Sequence, residues 1–318
     1  MEKNEAVIQS NFKPKQKSFF TKLVEQKELV LITLPFLVLL IIFSYVPLWG
    51  WTMAFQNYKP FLGVKHSSWV GLKNFVDLFH DKYFYLALRN TLGISCLKYI
   101  TGFACSITLA VLINEVRHKT FKKIVQVISY LPHFVSWVVA ASIVYNVLSP
   151  DSGIVNDLLM RLHFIKDPIN FMGMPKLFWG IVAGSDIWKE VGWGTIIYLS
   201  AMTAIDSEMY EAASIDGAGR IKKIFSITLP SIIPTIKIIM ILNAGWLLNA
   251  GFEQVFLLQN STVVDVARTL ELYVYNFGIP LGRYSFATAA SIFNSVVALI
   301  LVTTFNRLSK LLDGESAF

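Results

Sequence analysis

The stretch EAASIDGAGRIKKIFSITLP, residues 211–230, lies between two long apolar runs but is itself polar and rich in small residues. Ser207, just before it, is typical of a helix N-cap, and the helix is expected to continue through Asp216. Gly217 then allows the backbone to turn. A second short amphipathic piece follows, and Pro230 suits the first turn of the next membrane helix. The stretch is therefore predicted to be an interrupted helix between two membrane spans.

Small residues give this interrupted helix a low, nearly flat surface. Charged side chains surround it, among them Glu211, Asp216 and Arg220. Such a surface suits a pocket on another protein better than lipid. The alternative is an ordinary amphipathic linker that lies on the membrane. The small residues in question are Ala212, Ala213, Gly217 and Ala218.

Outward from this stretch, the chain has the composition of a polytopic membrane protein. Of its 318 residues 54% are hydrophobic and 15% charged, and the apolar residues form long charge-poor blocks. These blocks are too long for barrel strands, so the fold class is all-α. Six membrane helices are predicted, at about 30–51, 90–114, 124–148, 178–203, 230–257 and 284–306. They define a leader at 1–28, a six-helix domain at 29–310 that includes the interrupted segment 207–229, and a tail at 311–318.

The distribution of Lys and Arg predicts the orientation. The leader, the 115–123 turn, the 206–228 segment and the chain after residue 306 hold 15 of them, whereas the loops on the other side, at 52–85, 149–176 and 259–283, hold 9. Both termini and the interrupted segment are therefore expected in the cytoplasm. The net charge of +7 reflects this topology and contact with anionic lipid rather than nucleic-acid binding.

Several ionisable residues fall within the predicted spans, where such groups are costly and often functional. Asp186, Lys189 and Glu190 share one face of the fourth span, near its middle. They either line a passage or, in the case of Asp186 and Lys189, neutralise each other as a structural pair. His133, next to Pro132 in the third span, is either a substrate contact or a group satisfied by freed backbone. Lys98 is deep in the second span, with no evident partner.

Polar residues also recur at helical spacing in the fifth predicted span. Asn243, Trp246, Asn249 and Glu253 combine amides, an indole and a carboxylate. Such a stripe suits a sugar, whose hydroxyls need hydrogen bonds and whose apolar faces stack on aromatic rings. The alternative for Trp246 is packing against lipid or the protein core. We interpret the four as candidates for a substrate path.

A family resemblance is carried by the interrupted segment. Its spacing is similar to the EAA signature of permease subunits in type I ABC importers, in which EAA is followed after three residues by Gly and after nine more by Ile-x-Leu-Pro. Further stretches, WVGLKNFVDLF, YLPHFVSWVVAASIVYNVLSPDSGIVN and GFEQVFLL…LELYVYNFGI, resemble the MalF-type carbohydrate permeases, in particular the LplB-like branch for polysaccharide or oligosaccharide. The likeness spans nearly the whole chain.

The resemblance implies a coupling helix that docks on a cytoplasmic ATPase. The docking surface would consist of Glu211, Ala212, Ala213, Asp216, Gly217 and Ala218, and the exit into the fifth span of Ile227, Leu229 and Pro230. The implied partners are a second, different permease subunit, two copies of the ATPase and an extracellular solute-binding protein or lipoprotein. The implied location is the membrane of a bacterial cell. Which saccharide is carried stays open.

The residues themselves agree with a need for a partner, because no G-x-x-x-x-G-K-[ST] loop is present to bind nucleotide. No cofactor and no metal site is predicted. The buried charges and the histidines raise two alternative functions. A secondary transporter would use Asp186, Lys189 or Glu253 for ion coupling but leaves the EAA spacing unexplained. An intramembrane enzyme is disfavoured because HExxH is absent and the five histidines are scattered.

Overall fold

The computed structural model describes residues 25–313, with side chains to residue 307. The predicted leader, 1–28, therefore lies almost wholly outside the described residues. Of the predicted tail, 311–318, only residues 311–313 are described, and they continue the last helix. The described chain is mostly helical, which confirms the all-α fold class.

The helices of the described chain are numbered here in sequence order. They are α1 Lys27–Leu40, α2 Gly63–His66, α3 Lys73–His80, α4 Lys82–Glu115, α5 Lys119–Tyr130, α6 Trp137–Leu148, α7 Ile154–Arg161, α8 Pro175–Thr203, α9 Ser207–Ile215, α10 Arg220–Lys223, α11 Leu229–Ala244, α12 Phe252–Leu258, α13 Val264–Ala267, α14 Leu270–Gly278 and α15 Tyr284–Asp313. Short 3-10 segments lie at Val46–Phe55, Leu131–Phe134, Phe171–Gly173 and Gly245–Leu248, and π-helical turns at Ile41–Tyr45 and Ile224–Thr228. Two short strands, Gln56–Asn57 (β1) and Ser68–Trp69 (β2), pair antiparallel.

The chain divides into two units, which meet at Thr52 and Met53. The described part of the first unit is α1 with its π-helical and 3-10 continuation. Its large apolar side chains, such as Leu31, Phe36 and Phe43, are exposed. Exposed apolar side chains on a long helix suit a hydrocarbon surrounding, so this unit has the properties of the first predicted span.

Four continuous helical stretches of the described chain are long and apolar enough to cross a membrane: Lys27–Phe55, Lys82–Glu115, Arg220–Leu248 and Tyr284–Arg307. The bent pair Lys119–Phe134 and Trp137–Leu148 makes a fifth if it is one span. Helix α8 has 29 residues, which is long enough, but carries three charged residues near its middle. The six predicted spans are consistent with these elements.

The sequence predicted one straight helix for the third span, but the structure has a bent pair of helices there. Its two halves meet at an angle of 105°. The break follows Pro132, and Val135 has an extended backbone with φ −80° and ψ 135°. Ser136 then caps α6 by accepting a hydrogen bond from the backbone N–H of Val139. A single apolar run therefore encodes two helices, because the proline and the serine cap end one and begin the next.

The second unit is organised around α4 and α8, which pack side by side in the same direction. Gly93 of α4 lies against the Trp179 ring, and thirteen residues further along Ser106 lies against Gly194. The hydroxyl of Thr195 donates to the backbone oxygen of Ser106 at 3.2 Å. This helix pair carries most of the candidate site.

Among the described residues, the closest helix packing on α8 occurs at Gly192. The GxxxG spacing of Gly180 and Gly184 on the same helix permits close packing but is a weak signal, and a Cβ at either position would meet nothing within 4 Å. A Cβ at Gly192 would instead lie 1.9 Å from the backbone oxygen of Ser129. Helix α8 therefore crosses α5 so closely that only glycine fits at 192.

We expect Gly192→Ala to lower the melting temperature of the detergent-purified protein. The added methyl group meets backbone rather than a mobile side chain, so α5 and α8 must separate, at a cost of about 1–3 kcal/mol. Gly180→Ala, on the same helix, is the matched control and should be neutral or stabilising because alanine favours helix. Equal melting temperatures for the two variants would show that the crossing is looser than described.

Candidate functional site

The interrupted segment begins with the capped helix α9. Its N-cap is Asp206, whose side chain accepts a hydrogen bond from the backbone N–H of Glu208 at 2.9 Å. The sequence predicted Ser207 at this position, and that assignment is wrong by one residue. Both residue types are good N-caps, and the carboxylate gains additional stabilisation from the helix dipole.

The same helix ends at Gly217, as the sequence predicted. Gly217 has φ +76°. The backbone N–H of Ala218 donates to the oxygen of Ala213 at 2.8 Å, and that of Gly217 donates to the oxygen of Ser214 at 3.1 Å. These two bonds form a Schellman motif, which requires a left-handed residue at the glycine position. The turn is therefore built around this glycine.

The surface of α9 is open to a partner. Ile215 is 88% exposed and Ile221, beyond the turn, is 72% exposed. Exposed apolar side chains next to a small-residue surface are typical of a protein-binding site. Ile215 is not among the residues predicted from the sequence, although its place within the small-residue stretch is a usable signal. Of the motif residues, Glu211, Ala212, Asp216 and Gly217 are exposed, and Ala213 and Ala218 are partly buried.

The exit of the segment is anchored in the protein. Ile227 is buried and Leu229 partly buried, whereas Pro230 is exposed. The hydroxyls of Tyr210 in α9 and Thr228 lie 3.0 Å apart and share a hydrogen bond. The helix that contains the fifth predicted span begins before Pro230, because the helical stretch runs without a break from residue 220 to residue 248. The part of the interrupted segment after the Gly217 turn and the fifth predicted span thus form one continuous helical rod, from residue 220 to residue 248.

A second feature is an open cleft of about 410 Å³ between α4, α8 and the far end of this rod. Its wall combines charged, amide and aromatic side chains. Trp193 is 48% exposed and Trp246 is 64% exposed, so both rings are available for contact. The polar and aromatic residues that line the cleft include Lys98, Tyr99, Asp186, Glu190, Trp193, Asn243, Trp246 and Asn249.

The cleft brings together most of the sequence candidates. Those that line it are Asp186, Glu190, Asn243, Trp246 and Asn249. Lys189 and His133 do not line the cleft, but each contacts the carboxylate of Glu190, which does. Glu253 does not line the cleft.

Glu253 is separated from the cleft by a break in the helix. The rod ends at Leu248, and Gly251 takes a left-handed backbone with φ +88° before α12 begins. Glu253 is exposed, while its neighbour Gln254 is buried and donates to the backbone oxygen of Val182 at 2.7 Å. The predicted helical stripe from Asn243 through Glu253 is therefore wrong beyond residue 248, because the three residues after it are not helical.

The buried charges are paired, but not as expected. Lys98 Nζ lies 2.8 Å from Asp186 Oδ1, and Lys189 Nζ lies 2.8 Å from Glu190 Oε1. The alternative in which Asp186 and Lys189 neutralise each other is therefore wrong, because each of them has a different partner. Spacing along one helix could not reveal Lys98 as the partner, because it comes from α4.

His133 connects the cleft to the bend of the third span. Its Nδ1 lies 2.6 Å from Glu190 Oε2, and its ring stacks on Trp193 with centroids 4.4 Å apart. Lys189 donates to the backbone oxygen of His133 at 2.9 Å. The carbonyl and ring at the bend thus have the partners that a polar group in a membrane span requires.

This arrangement can bind a polar, ring-shaped solute. Amides and carboxylates can exchange hydrogen bonds with hydroxyl groups, and the exposed indoles offer apolar faces for stacking. Among the described residues, no group of three or more His, Cys, Asp or Glu side chains could hold a metal ion. Tyr99 and Trp193 are not among the residues predicted from the sequence, because aromatic residues are frequent in the apolar spans of this chain.

Comparison with known proteins gives close relatives over nearly the full length. The chain is 44% identical over 306 residues to the polygalacturonan/rhamnogalacturonan transport system permease protein YteP of Bacillus subtilis, covering 96% of this chain and 95% of that protein. It is 42% identical over 301 residues to Protein LplB of the same organism, covering 95% and 94%. The LplB-like resemblance is thereby confirmed.

A solved structure and a family description agree with these relatives. The fold matches the crystal structure of a bacterial alginate ABC transporter in complex with an alginate pentasaccharide-bound periplasmic protein, with a TM-score of 0.86 and 38% identity, over 94% of this chain and 100% of that chain. Residues 102–314 match the binding-protein-dependent transport system inner membrane component family. The chain therefore belongs to this family of inner-membrane transport components.

Proposed function

We propose that the chain is a membrane-spanning subunit of an ATP-driven importer of oligo- or polysaccharide, and that residues 207–229 couple it to a cytoplasmic ATPase. Membership of the family makes it a transport subunit rather than an enzyme. We also infer the route of coupling to ATP hydrolysis, the class of substrate and the partner subunits.

One observation carries the coupling role: the docking surface and the cleft are joined by a single helical rod. The Tyr210–Thr228 hydrogen bond ties α9 to the start of this rod, and Asn243 and Trp246 lie near its other end. A push on α9 therefore reaches the cleft through packed helix rather than through a loop. Rigid elements of this kind can pass a movement between distant sites.

The saccharide substrate is supported by the chemistry of the cleft and by the relatives. Exposed Trp193 and Trp246 beside amides and carboxylates are the groups that bind sugar rings and hydroxyls. Relatives at 44% and 38% identity are described as carriers of polygalacturonan or rhamnogalacturonan and of alginate. We infer that the substrate of this chain is likewise an oligosaccharide derived from a polysaccharide.

The proposed assembly holds this chain, a second and different permease, two ATPase copies and an external solute-binding protein. The alginate transporter complex supports the binding protein, since it contains one. The proposed orientation has both termini and α9 in the cytoplasm of a bacterial cell, supported by the excess of Lys and Arg on that side. Lipid surrounds the exposed apolar helices.

A pull-down of tagged protein from mild-detergent membranes tests this proposal. We expect a second permease and an ATP-hydrolysing subunit to co-purify with the wild type. Glu211→Lys should lose at least about 90% of the co-purified ATPase, because charge reversal in a docked surface costs on the order of several kcal/mol. Asp157→Lys is the matched control, since Asp157 is also exposed on a helix but lies outside the segment.

One result of the pull-down would contradict the proposal. If the protein elutes alone, without ATPase activity, and its uptake in vesicles collapses with an uncoupler, it is an ion-driven transporter. Loss of the ATPase in both charge-reversal variants would show that the effect does not come from the α9 surface.

A further inference from the structure

A small pocket, the outer pocket, lies among segments that the proposed orientation places outside the membrane. Its volume is about 320 Å³, and it is bordered by residues around β1, by the beginning of α3 and by the beginning of α15. The loops that supply these segments, 52–85 and 259–283, are on the side with fewer Lys and Arg residues. A solute that arrives from outside can therefore meet this pocket without entering the membrane.

Arg283 is held in the wall of the outer pocket by the turn before α15. Gly282 has φ +64°, and the backbone N–H of Arg283 donates to the oxygen of Phe277 at 2.9 Å. The guanidinium lies over the rings of Phe277 and Phe286, at 5.2 and 4.2 Å from their centroids. Such stacking occupies the flat face of a guanidinium and leaves the N–H groups at its edge for a planar anion. Arg283 thus presents a positioned fork of donors.

Lys73 brings a second positive charge to the same pocket. It is the first residue of α3 and, like Arg283, it is exposed. Asp77, one turn further along α3, is the one carboxylate that lines the pocket. Among the residues whose side chains the structure describes, neither cation lies within ion-pair distance of Asp77 or of another carboxylate. Two cations against one carboxylate favour an anionic ligand.

Aromatic and amide groups complete the outer pocket. The rings of Tyr58 and Tyr284 meet edge to face, with centroids 5.9 Å apart. The backbone N–H of Tyr58 donates to Ser285 Oγ at 2.9 Å, which fixes the hairpin against the beginning of α15. The phenol groups and the Asn57 amide can exchange hydrogen bonds with hydroxyls, and the tyrosine rings offer faces to the apolar side of a sugar. This combination suits a sugar that also carries a negative charge.

The central cleft lacks this charge property. Lys98 is the basic residue in its wall, and its ammonium is already paired with Asp186 at 2.8 Å. Lys189, which contacts the cleft residue Glu190, is paired with that carboxylate at 2.8 Å. A negative group on a solute would therefore have to displace a buried ion pair in the cleft, which is costly. In the outer pocket the same group meets cations that no described carboxylate already pairs.

We propose that the outer pocket binds the carboxylate of an acidic sugar residue. Arg283 is the bidentate partner, Lys73 supplies the second charge, and Tyr58 and Tyr284 contact the sugar ring. The carboxylate of a uronic acid is planar and matches the guanidinium fork in geometry. The inference rests on the proposed function, because it adds a charge preference to the oligosaccharide class inferred there. Acidic oligosaccharides are thereby selected at the outer face, before they reach the cleft.

Equilibrium binding to the detergent-purified chain tests this site without a solute-binding protein. The probes are a trisaccharide of galacturonic acid and the trisaccharide of galactose with the same linkages, in which hydroxymethyl groups replace the carboxylates. We expect the acidic probe to bind at least about tenfold more tightly, because charge-assisted hydrogen bonds are the stronger ones. Salt at about 1 M should reduce this preference, because it screens exposed charges. Equal affinities, or no binding of either probe, would overturn the proposal.

Substitutions in the pocket should change the affinity for the acidic probe alone. Arg283→Gln should lower it by at least about tenfold and leave the affinity for the neutral probe unchanged. Arg283→Lys keeps the charge but loses the fork, so it should recover only part of the affinity. Lys73→Gln, at an exposed helix position, should lower it severalfold and does not disturb the turn at Arg283. Arg161→Gln is the matched control, since Arg161 is also exposed in an outer loop but does not line the pocket.

Other outcomes would assign the pocket differently. Equal losses for both probes in Arg283→Gln would show that this residue shapes the pocket without recognising charge, and the proposal would be wrong. It would also be wrong if the variant kept both affinities but lost co-purification of the solute-binding protein, because the pocket would then be a docking surface. Absence of ATP-driven oligosaccharide uptake by the assembled complex would instead refute the proposed function, and the binding preference of the purified chain would still stand.

Discussion

Replacing Gly217 with valine is expected to abolish ATP-driven uptake while the protein stays in the membrane. Gly217 has φ +76°, a left-handed conformation that costs an ordinary residue about 1–2 kcal/mol, and a β-branched one more. The Schellman bonds from Ala218 and Gly217 would break, and the exposed end of α9 would lose its shape. Every 1.4 kcal/mol of lost docking energy lowers the docked fraction about tenfold.

Gly219→Val is the matched control for this experiment. Gly219 lies two residues further along, and a Cβ at either glycine would meet nothing within 4 Å. Its backbone has φ −70° and ψ 170°, which valine adopts without strain. ATP-driven uptake and membrane content should be measured together for both variants. Equal loss in the two would mean that bulk at the surface, rather than the turn, is responsible.

The second large effect is expected in the cleft. Asn243→Leu combined with Trp246→Ala should lower uptake by about ten- to a hundredfold, because a lost hydrogen bond and a lost stacking surface are each worth about 0.5–1.5 kcal/mol. Co-purification of the ATPase should remain, since α9 and its turn are untouched. The measurement is initial uptake rate against oligosaccharide concentration, with the ATPase content of the same preparation.

Two further variants decide whether the cleft itself is responsible. Trp69→Ala removes an indole that is 66% exposed, close to the 64% of Trp246, but lies outside the cleft. Glu253→Leu removes a carboxylate that the helix break places away from the cleft. Uptake should change little in both. If either lowers uptake as much as the cleft variant, these residues do not act through a shared cleft.

The features predicted correctly from the sequence are those that depend on residues close together in the chain. The end of α9 at Gly217 was predictable because one residue decides whether a helix can turn left-handed. The apolar runs predicted helices because a membrane leaves the backbone no other partner than itself. In both cases the information lies within a few residues or within one continuous run.

The predictions that differ from the structure concern contacts between helices and a break within one of them. The pair of Lys98 with Asp186 joins α4 and α8, and no spacing along α8 could show it. Glu253 was assigned to the helical stripe because the break at Gly251 has little signal in an apolar run. The close packing at Gly192 depends on where α5 crosses, which the GxxxG spacing of Gly180 does not report.

The sequence by itself therefore determined the class of protein, the membrane helices and the interrupted segment with its turn at Gly217, since composition, periodicity and a spaced motif are properties of the chain. Only the tertiary structure decided which charges are paired, which candidates share a cleft and that the helix after the turn continues as one rod to that cleft. The physical reason is that ion pairs, close crossings and cleft walls are made by residues far apart in sequence. Their distances are set by packing, which no local pattern contains.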